Sequence, residues 1–126
     1  MDAAAPARSW ADTWRSAWPK LDADAIAALY ADGHSYRALA FGKPTTAPPD
    51  LTENFAVESN VECWFGEPVV DDDRAAVEWW GTWIEGGKRV SLAGTTLLRF
   101  GADGMVVNHR DYWNEVEGRV VPYGGW

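Results

Sequence analysis

Apolar residues recur at helical spacing near the start of the chain. Trp10, Trp14 and Trp18 stand four residues apart, so they share one face of a helix. Ser9 is a suitable N-cap, because its hydroxyl can accept a hydrogen bond from a free N–H of the first turn. Pro19 cannot continue a helix. The pattern therefore predicts a first helix that follows Ser9, stops at Pro19 and carries its indoles on the buried face.

A second helical pattern follows after a short link. Asp22 is its predicted N-cap, and Ile26, Leu29 and Tyr30 form its apolar side. Asp32-Gly33 ends it, because glycine readily adopts the left-handed conformation that closes a helix. The two helices are predicted to form a helical hairpin.

The middle of the chain is mixed. From about Ser35 to Phe41 the pattern is extended, and Gly42-Lys43-Pro44 breaks it. The stretch from Pro48 to Glu53 predicts a loop that leads into a capping box, and hence a short third helix that ends near Ser59.

The second half alternates between apolar and polar residues with the period of a β-strand. Four strands are predicted, at Val61–Val70, Arg74–Ile84, Arg89–Phe100 and Met105–Trp113. Short turns rich in aspartate and glycine separate them, which is typical of an antiparallel meander. Helices followed by a meander predict an α+β fold with the helices packed on one face of a curved antiparallel sheet. The tail from Gly118 to Trp126 has no regular pattern and is long enough to fold over the sheet edge.

Length and charge narrow the domain count and the classes of partner. A chain of 126 residues fits one domain, residues 1–126. The net charge of −8 argues against nucleic acid and against an anionic membrane, because both require a basic surface on the protein. No apolar run reaches the roughly 18 residues needed to cross a bilayer. We therefore expect neither nucleic acid nor membrane as a partner.

Cysteine usage and the first residues bear on location and metal binding. Cys63 is the only cysteine, so it cannot form an internal disulfide, and no Cys/His cluster has the spacing of zinc ligands. Asp71-Asp72-Asp73 offers carboxylates to a metal, but a solvated turn is the better interpretation. The first residues lack the features of a signal peptide. We expect a cytoplasmic protein without metal or cofactor.

Three short motifs resemble landmarks of one superfamily. They are Leu29-Tyr30-Ala31-Asp32-Gly33 before the first strand, Arg99-Phe100-Gly101-Ala102-Asp103-Gly104 at the last turn and Arg110-Asp111-Tyr112-Trp113 in the last strand. Together with the order of helices and strands over nearly the whole chain, they resemble the nuclear-transport-factor-2-like superfamily and its SnoaL-like domains. The resemblance implies a cone-shaped fold with a pocket between the concave sheet face and the helices. This superfamily contains enzymes of several classes and binding proteins, so the fold alone does not define an activity.

Strand alternation and comparison with steroid isomerases assign side chains to that pocket. The implied pocket residues are Trp79, Gly81, Trp83, His109, Asp111 and Trp113 on the strands, Trp14 and Tyr30 on the helices, and Tyr36, which offers a phenol. Nine tryptophans favour an aromatic pocket for an apolar small molecule. Four indoles in one cone are also enough to fill it completely.

Asp111 is the leading catalytic candidate. The pattern Asn108-His109-Arg110-Asp111 resembles the His and the acid/base Asp that SnoaL-like cyclases place in the last strand. A carboxylate among indoles must pair with a donor or take up a proton, and such a group can act as a general acid or base. His109 shares its face and can reach Asp111 or the same ligand. The alternative is structural: Asp111 pairs with His109 or an arginine and holds the sheet.

The same last-strand motif also resembles one that carries a catalytic Asp in limonene-type epoxide hydrolases. Their second Asp and their Arg belong on the strand that holds Glu78-Trp79-Trp80-Gly81, where neither residue type is present. The resemblance thus favours proton transfer in a cyclase-, isomerase- or dehydratase-like reaction on an apolar ring-bearing substrate. A ligand-binding protein without catalysis and a structural dimer with an indole-filled cone are the alternatives.

Trp80 bears on the oligomeric state. It alternates outward with Thr82 on a central strand, and monomers seldom leave an apolar patch of this kind exposed. The fold that the chain resembles commonly pairs through the outer sheet face, so we expect a homodimer formed through that face.

Steroid double-bond isomerisation is expected to be absent. The positions that match the base, tyrosine and acid of steroid isomerases are Ala38, Trp14 and Thr96, and an alanine cannot accept a proton. A spectroscopic assay with a β,γ-unsaturated ketosteroid should show no turnover above the rate in buffer. Turnover that disappears on mutating a pocket residue would show that this alignment of the first strand is wrong.

Overall fold

The computed structural model describes residues 1–46 and 51–126, without the side chain of Thr52. The elements within this part are the helices α1 Ala4–Ala17, α2 Ala23–Ala27 and α3 Leu51–Val57 and the strands β1 Tyr30–Arg37, β2 Ser59–Phe65, β3 Val69–Asp71, β4 Arg74–Glu85, β5 Lys88–Phe100 and β6 Val106–Glu117. The predicted α+β class is confirmed. None of the described helices has the length and hydropathy needed to cross a membrane.

α1 begins earlier than the sequence pattern predicts. The Asp2 carboxylate accepts a hydrogen bond from the Ala4 N–H (2.9 Å), which satisfies a free donor at the start of the helix. Pro6 falls in the first turn, where a missing N–H costs no helical hydrogen bond. Ser9 therefore lies inside the helix, and the predicted N-cap at Ser9 is wrong.

Asp22 caps α2 as predicted, because its Oδ1 accepts a hydrogen bond from the Ala25 N–H (3.1 Å). The helix ends at Ala27, however, and Tyr30 is the first residue of β1. The prediction that Tyr30 lies on a helix is therefore wrong. The physical reason is distant in sequence: Tyr30 pairs with Val106 at the start of β6.

α3 confirms the predicted third helix, while the loop from Pro48 to Asp50 that leads into it lies outside the described residues. The strand predicted from Val61 to Val70 is two strands, β2 and β3, which both pair with β4. Pro68 lies between them and has no N–H to give to the ladder, so the strand is interrupted there.

The strand order is β1-β6-β5-β4-β2, and β3 also pairs with β4. The β4–β5–β6 meander is antiparallel as predicted, but β1 pairs with β6 in parallel. The prediction of an entirely antiparallel sheet is therefore wrong at this edge. The parallel register places Tyr36 beside His109, so residues of the first and last strands meet at one point of the sheet.

Trp18 packs directly on the backbone of β4. A Cβ built at Gly81 would lie 2.3 Å from Cη2 of Trp18, so only glycine permits this contact. The Trp18 ring lies between Trp79 and Trp83, with centroid distances of 6.1 and 5.7 Å. Gly81, Trp79 and Trp83 thus face the helices, as the strand alternation predicts.

The C-terminal tail lies on the opposite sheet face. The rings of Tyr123 and Trp126 are 6.2 and 6.4 Å from the ring of Trp80, and Trp126 also approaches Gly66. Thr82 on the same face is fully buried. The tail therefore covers part of the surface that the sequence analysis assigned to a second copy of the chain, and the homodimer stays a prediction.

Replacing Gly81 by alanine is expected to destabilise the fold by about 1–3 kcal/mol, because the added methyl group displaces the Trp18 ring. Thermal or urea unfolding followed by circular dichroism measures the loss. Gly124→Ala is the matched control, because a Cβ built there meets nothing within 4 Å. A Gly81 variant as stable as this control would show that α1 moves away from the sheet without cost.

Candidate functional site

A cavity of about 370 Å³ lies between the helices and the sheet. Its volume is in the range of small-molecule sites. The aromatic residues of its wall are Trp10, Trp14, Trp18, Tyr36, Phe55, Phe65, Trp79, Trp83 and Trp113. The indoles therefore line the cone and leave space within it, so the hypothesis of an indole-filled cone is wrong. Trp10 and Trp18 were not expected on this wall.

Asp111 lies on the cavity wall and is only 9% exposed. Its Oδ1 accepts hydrogen bonds from Nε2 of His109 (2.7 Å) and from the hydroxyl of Thr96 (2.6 Å). Its Oδ2 has, among the residues that the structure describes, one partner, the hydroxyl of Tyr36 at 3.4 Å. The predicted pairing with His109 and the predicted position at the pocket are both observed, while the contact with Thr96 was not foreseen.

Trp10 sets the direction of the hydrogen bonds on the histidine side. Its indole N–H donates to the Tyr30 hydroxyl (3.1 Å), and that hydroxyl lies 2.9 Å from Nδ1 of His109. Because an indole only donates, the Tyr30 hydroxyl gives its own proton to Nδ1. His109 then carries its proton on Nε2 and donates it to Asp111. Tyr30 itself does not line the cavity, so its predicted place in the pocket wall is wrong, and it lies behind His109.

Trp79 sets the direction on the opposite side. Its indole N–H donates to the Thr96 hydroxyl (2.8 Å), which leaves the threonine proton for Asp111. Both hydrogen-bond chains therefore begin at an indole and end at the same carboxylate oxygen. This arrangement suits an ionised carboxylate, which only accepts.

Both tyrosines near the carboxylate are held in the protonated form. Burial raises the pKa of Tyr30 well above its ordinary value, although the indole N–H groups of Trp10 and Trp14 oppose the rise. Burial also raises the pKa of Tyr36, and the charge of Asp111 adds to the effect. The Tyr36 ring stacks on the imidazole of His109 with centroids 3.9 Å apart. Tyr36 is therefore a neutral donor at the cavity, as the sequence analysis expected.

Glu58 is a second carboxyl group on the wall, and the sequence analysis missed it. It follows α3 and accepts a hydrogen bond from Nε1 of Trp18 (2.8 Å). Burial raises its pKa to about 7, the Trp18 bond opposes the rise and the charge of Glu85 adds to it. The local sequence is that of a solvated helix end. Only the approach of Trp18, from a distant helix, makes Glu58 part of the site.

The family described as a SnoaL-like domain matches residues 8–109 of the chain. The protein belongs to the SnoaL-like domain family. No curated protein matches this SnoaL-like domain. The match ends at His109, so Asp111 and Trp113 lie beyond the matched residues and are placed in the site by the structure.

Solved structures share the fold of this SnoaL-like domain at low sequence identity. A hypothetical protein with a ketosteroid isomerase-like fold from Catenulispora acidiphila, solved in complex with trimethylamine, is 20% identical with a TM-score of 0.68 over 82% of this chain and 83% of that one. An LEH-like epoxide hydrolase from Mycobacterium tuberculosis is 17% identical (TM-score 0.69; 88% and 84% covered). An NTF2-like protein of unknown function from an Exiguobacterium species is 15% identical (0.69; 86% and 98%). These neighbours establish the fold and leave the activity open.

Metal binding finds no support among the residues that the structure describes. They contain no group of three or more His, Cys, Asp or Glu side chains arranged to hold a metal ion. Asp71 pairs with Arg74 across the β3–β4 turn (2.8 Å), which is the behaviour of a solvated turn.

Glu58→Gln is expected to stabilise the SnoaL-like domain above pH 7. The pKa of Glu58 is about 7 in the folded protein and ordinarily 4.5. The proton on Glu58 therefore stabilises the folded state fully below pH 4.5, and this stabilisation is lost as the pH rises through 7. The whole shift corresponds to roughly 3 kcal/mol, and we expect about 1–2 kcal/mol because Glu58 is partly exposed and solvent screens its charge. Urea unfolding at pH 5 and pH 8 measures the difference.

The matched control for this prediction is Glu53→Gln, an exposed change on α3 that alters the net charge equally. The Glu58 variant should gain stability over the wild type at pH 8 and little at pH 5. An equal gain in both variants would attribute the effect to net charge and not to the burial of Glu58.

Proposed function

We propose that this SnoaL-like domain binds an apolar, ring-bearing small molecule in its cavity and that Asp111 exchanges a proton with it. The supporting observation is that the two carboxylate oxygens of Asp111 differ in their hydrogen bonds. Oδ1 is held by His109 and Thr96 at 2.7 and 2.6 Å, whereas the described part of the chain gives Oδ2 one donor, Tyr36, at 3.4 Å. Oδ2 is therefore the oxygen that has room for a proton from a bound molecule.

His109 acts through Asp111 in this proposal. Its ring is 1% exposed, and both of its nitrogens already have partners within the protein. Its Nε2 proton fixes Oδ1 and thereby orients Oδ2. His109 is thus a positioning residue, and Asp111 is the group that takes the proton.

Tyr36 supplies the second requirement of proton abstraction. When a C–H beside a carbonyl group loses its proton to Oδ2, the electron pair moves onto the carbonyl oxygen, which becomes negative. A neutral phenol next to Oδ2 can donate a hydrogen bond to that oxygen. Proton abstraction of this kind is the first step of many isomerisations, dehydrations and cyclisations, which agrees with the range of reactions implied by the resemblance.

The wall favours an apolar ligand with a ring. Nine of its described lining residues are aromatic, and its polar side chains lie mainly at the two ends, around Asp111 and around Glu58. The neighbour from Catenulispora was solved with trimethylamine, so a small organic molecule can be held by a protein of this fold. No arginine is among the described residues of the wall, so the proposal follows the cyclase-like and isomerase-like members and not the epoxide hydrolases.

Asp111→Asn tests the proton transfer. The probe is 2-tetralone, a bicyclic ketone whose α-protons exchange with D₂O and are followed by ¹H NMR. The wild-type protein should accelerate the exchange, and the variant should lose roughly 100-fold or more of that acceleration. The amide oxygen can still accept from His109 and Thr96, so tetralone binding, measured by tryptophan fluorescence, should persist.

Glu117→Gln at the exposed end of β6 is the control, because it removes a carboxylate from the same strand and should leave the exchange rate unchanged. Tetralone that binds the wild-type protein without faster exchange would support a non-catalytic binding protein. A probe that does not bind at all would contradict the proposed ligand class.

A further inference from the structure

We infer that the cavity selects an organic cation, a ring-bearing ammonium whose charge is held by Glu58 and Glu85. This inference rests on the proposed function, because it adds the charge of the molecule to the apolar class already proposed. It concerns the part of the wall formed by the end of α3 and the end of β4.

The described wall of the cavity is acidic and includes no lysine or arginine. Besides Asp111, three carboxyl groups line it: Glu58, Glu85 and Glu115. No lysine or arginine is among its described lining residues, and the salt bridges found in the same part of the chain include none of these three glutamates. In the sequence, positions 47–50 contain no basic residue either. An anionic ligand would therefore meet repulsion and a cation attraction.

Glu58 and Glu85 form a like-charged pair on neighbouring indoles. Nε1 of Trp18 donates to Glu58 (2.8 Å) and Nε1 of Trp83 donates to Glu85 (3.3 Å), while the two indole rings are 5.7 Å apart. Each indole N–H satisfies part of the hydrogen-bonding capacity of its carboxylate but carries no net positive charge. A cation bound beside this pair would relieve the repulsion between the two groups.

The aromatic wall beside the pair suits an ammonium group. The Trp18 ring is inclined by 50° to Trp83 and by 76° to Trp79, so these rings form a corner and do not stack. Cations are attracted to the faces of such rings, and tryptophan is the strongest partner among the aromatic residues. The combination of indole faces and uncompensated carboxylates distinguishes an ammonium ligand from a neutral hydrocarbon.

The charge of Glu58 makes cation binding depend on pH. Burial raises the pKa of Glu58 to about 7, so a bound cation competes with the proton on that group. Affinity for a permanent cation should therefore rise as the pH rises through 7. The other titratable or charged groups that face the cavity are Glu85, Glu115, Asp111, His109 and Tyr36.

A matched pair of probes tests the inference on the full chain. Benzyltrimethylammonium carries a permanent charge, and neopentylbenzene is its uncharged isostere with carbon in place of nitrogen. Tryptophan fluorescence titrations at pH 8.5 should show the ammonium binding at least about tenfold more tightly. Lowering the pH to 5.5 should weaken the ammonium several-fold and leave the isostere unchanged.

Glu58→Gln should remove most of the pH dependence and the preference for the charged probe, and Glu85→Gln should reduce the preference. Glu117→Gln, which changes the net charge equally away from the cavity, should behave as the wild type. Equal binding of both probes, or tighter binding of neopentylbenzene, would overturn the inference and leave the apolar cavity of the proposed function intact. A pH dependence that persists in Glu58→Gln would overturn the role of Glu58. If neither probe binds, the proposed function fails together with the inference.

Discussion

The Asp111 carboxylate is buried on β6, and a charge in that position is stable only where donors surround it. Two chains of hydrogen bonds supply them, one from Trp10 through a tyrosine and a histidine, the other from Trp79 through a threonine. The carboxylate thereby joins α1, β1, β4, β5 and β6 at one point. Removing either indole would leave a hydroxyl free to reverse its proton, so Trp10 and Trp79 control the direction of the hydrogen bonds that reach Asp111.

The cavity has two chemically different ends. The end at β1 and β6 carries the Asp111 carboxylate, whose Oδ2 lies beside a neutral phenol, and it is the end to which we assign the proposed proton transfer. The end at α3 and the last residues of β4 carries two carboxyl groups that accept from indole N–H groups, and it is the end to which we assign the proposed cation. A ligand fixed by its charge at one end would present a defined atom to the other.

The parts of this structure that depend on local periodicity could be predicted from the sequence. The spacing of the α1 indoles and the alternation along β4 and β6 placed Trp14, Trp79 and Asp111 on the cavity side correctly. Two of the failures, at Tyr30 and Glu58, depend on contacts between distant segments. Tyr30 becomes a strand residue because β6 lies beside it, and Glu58 becomes part of the wall because an indole from α1 reaches it. The sequence around Tyr30 and around Glu58 has no feature that indicates either contact.

The parallel pairing of β1 with β6 also has a consequence for the order in which the chain folds. The β4–β5 and β5–β6 hairpins close through short turns, whereas the bonds from β1 to Asp111 and His109 join residues 75 and 79 positions apart. Closing so long a loop costs more entropy, which delays contacts of this kind relative to the hairpins. The meander can thus form while Asp111 is still hydrated, and the charge enters the interior only when β1 arrives with its tyrosines. On this order of events β1 completes the surroundings of Asp111, so a chain folded only as far as the meander would have most of the sheet without the buried cluster.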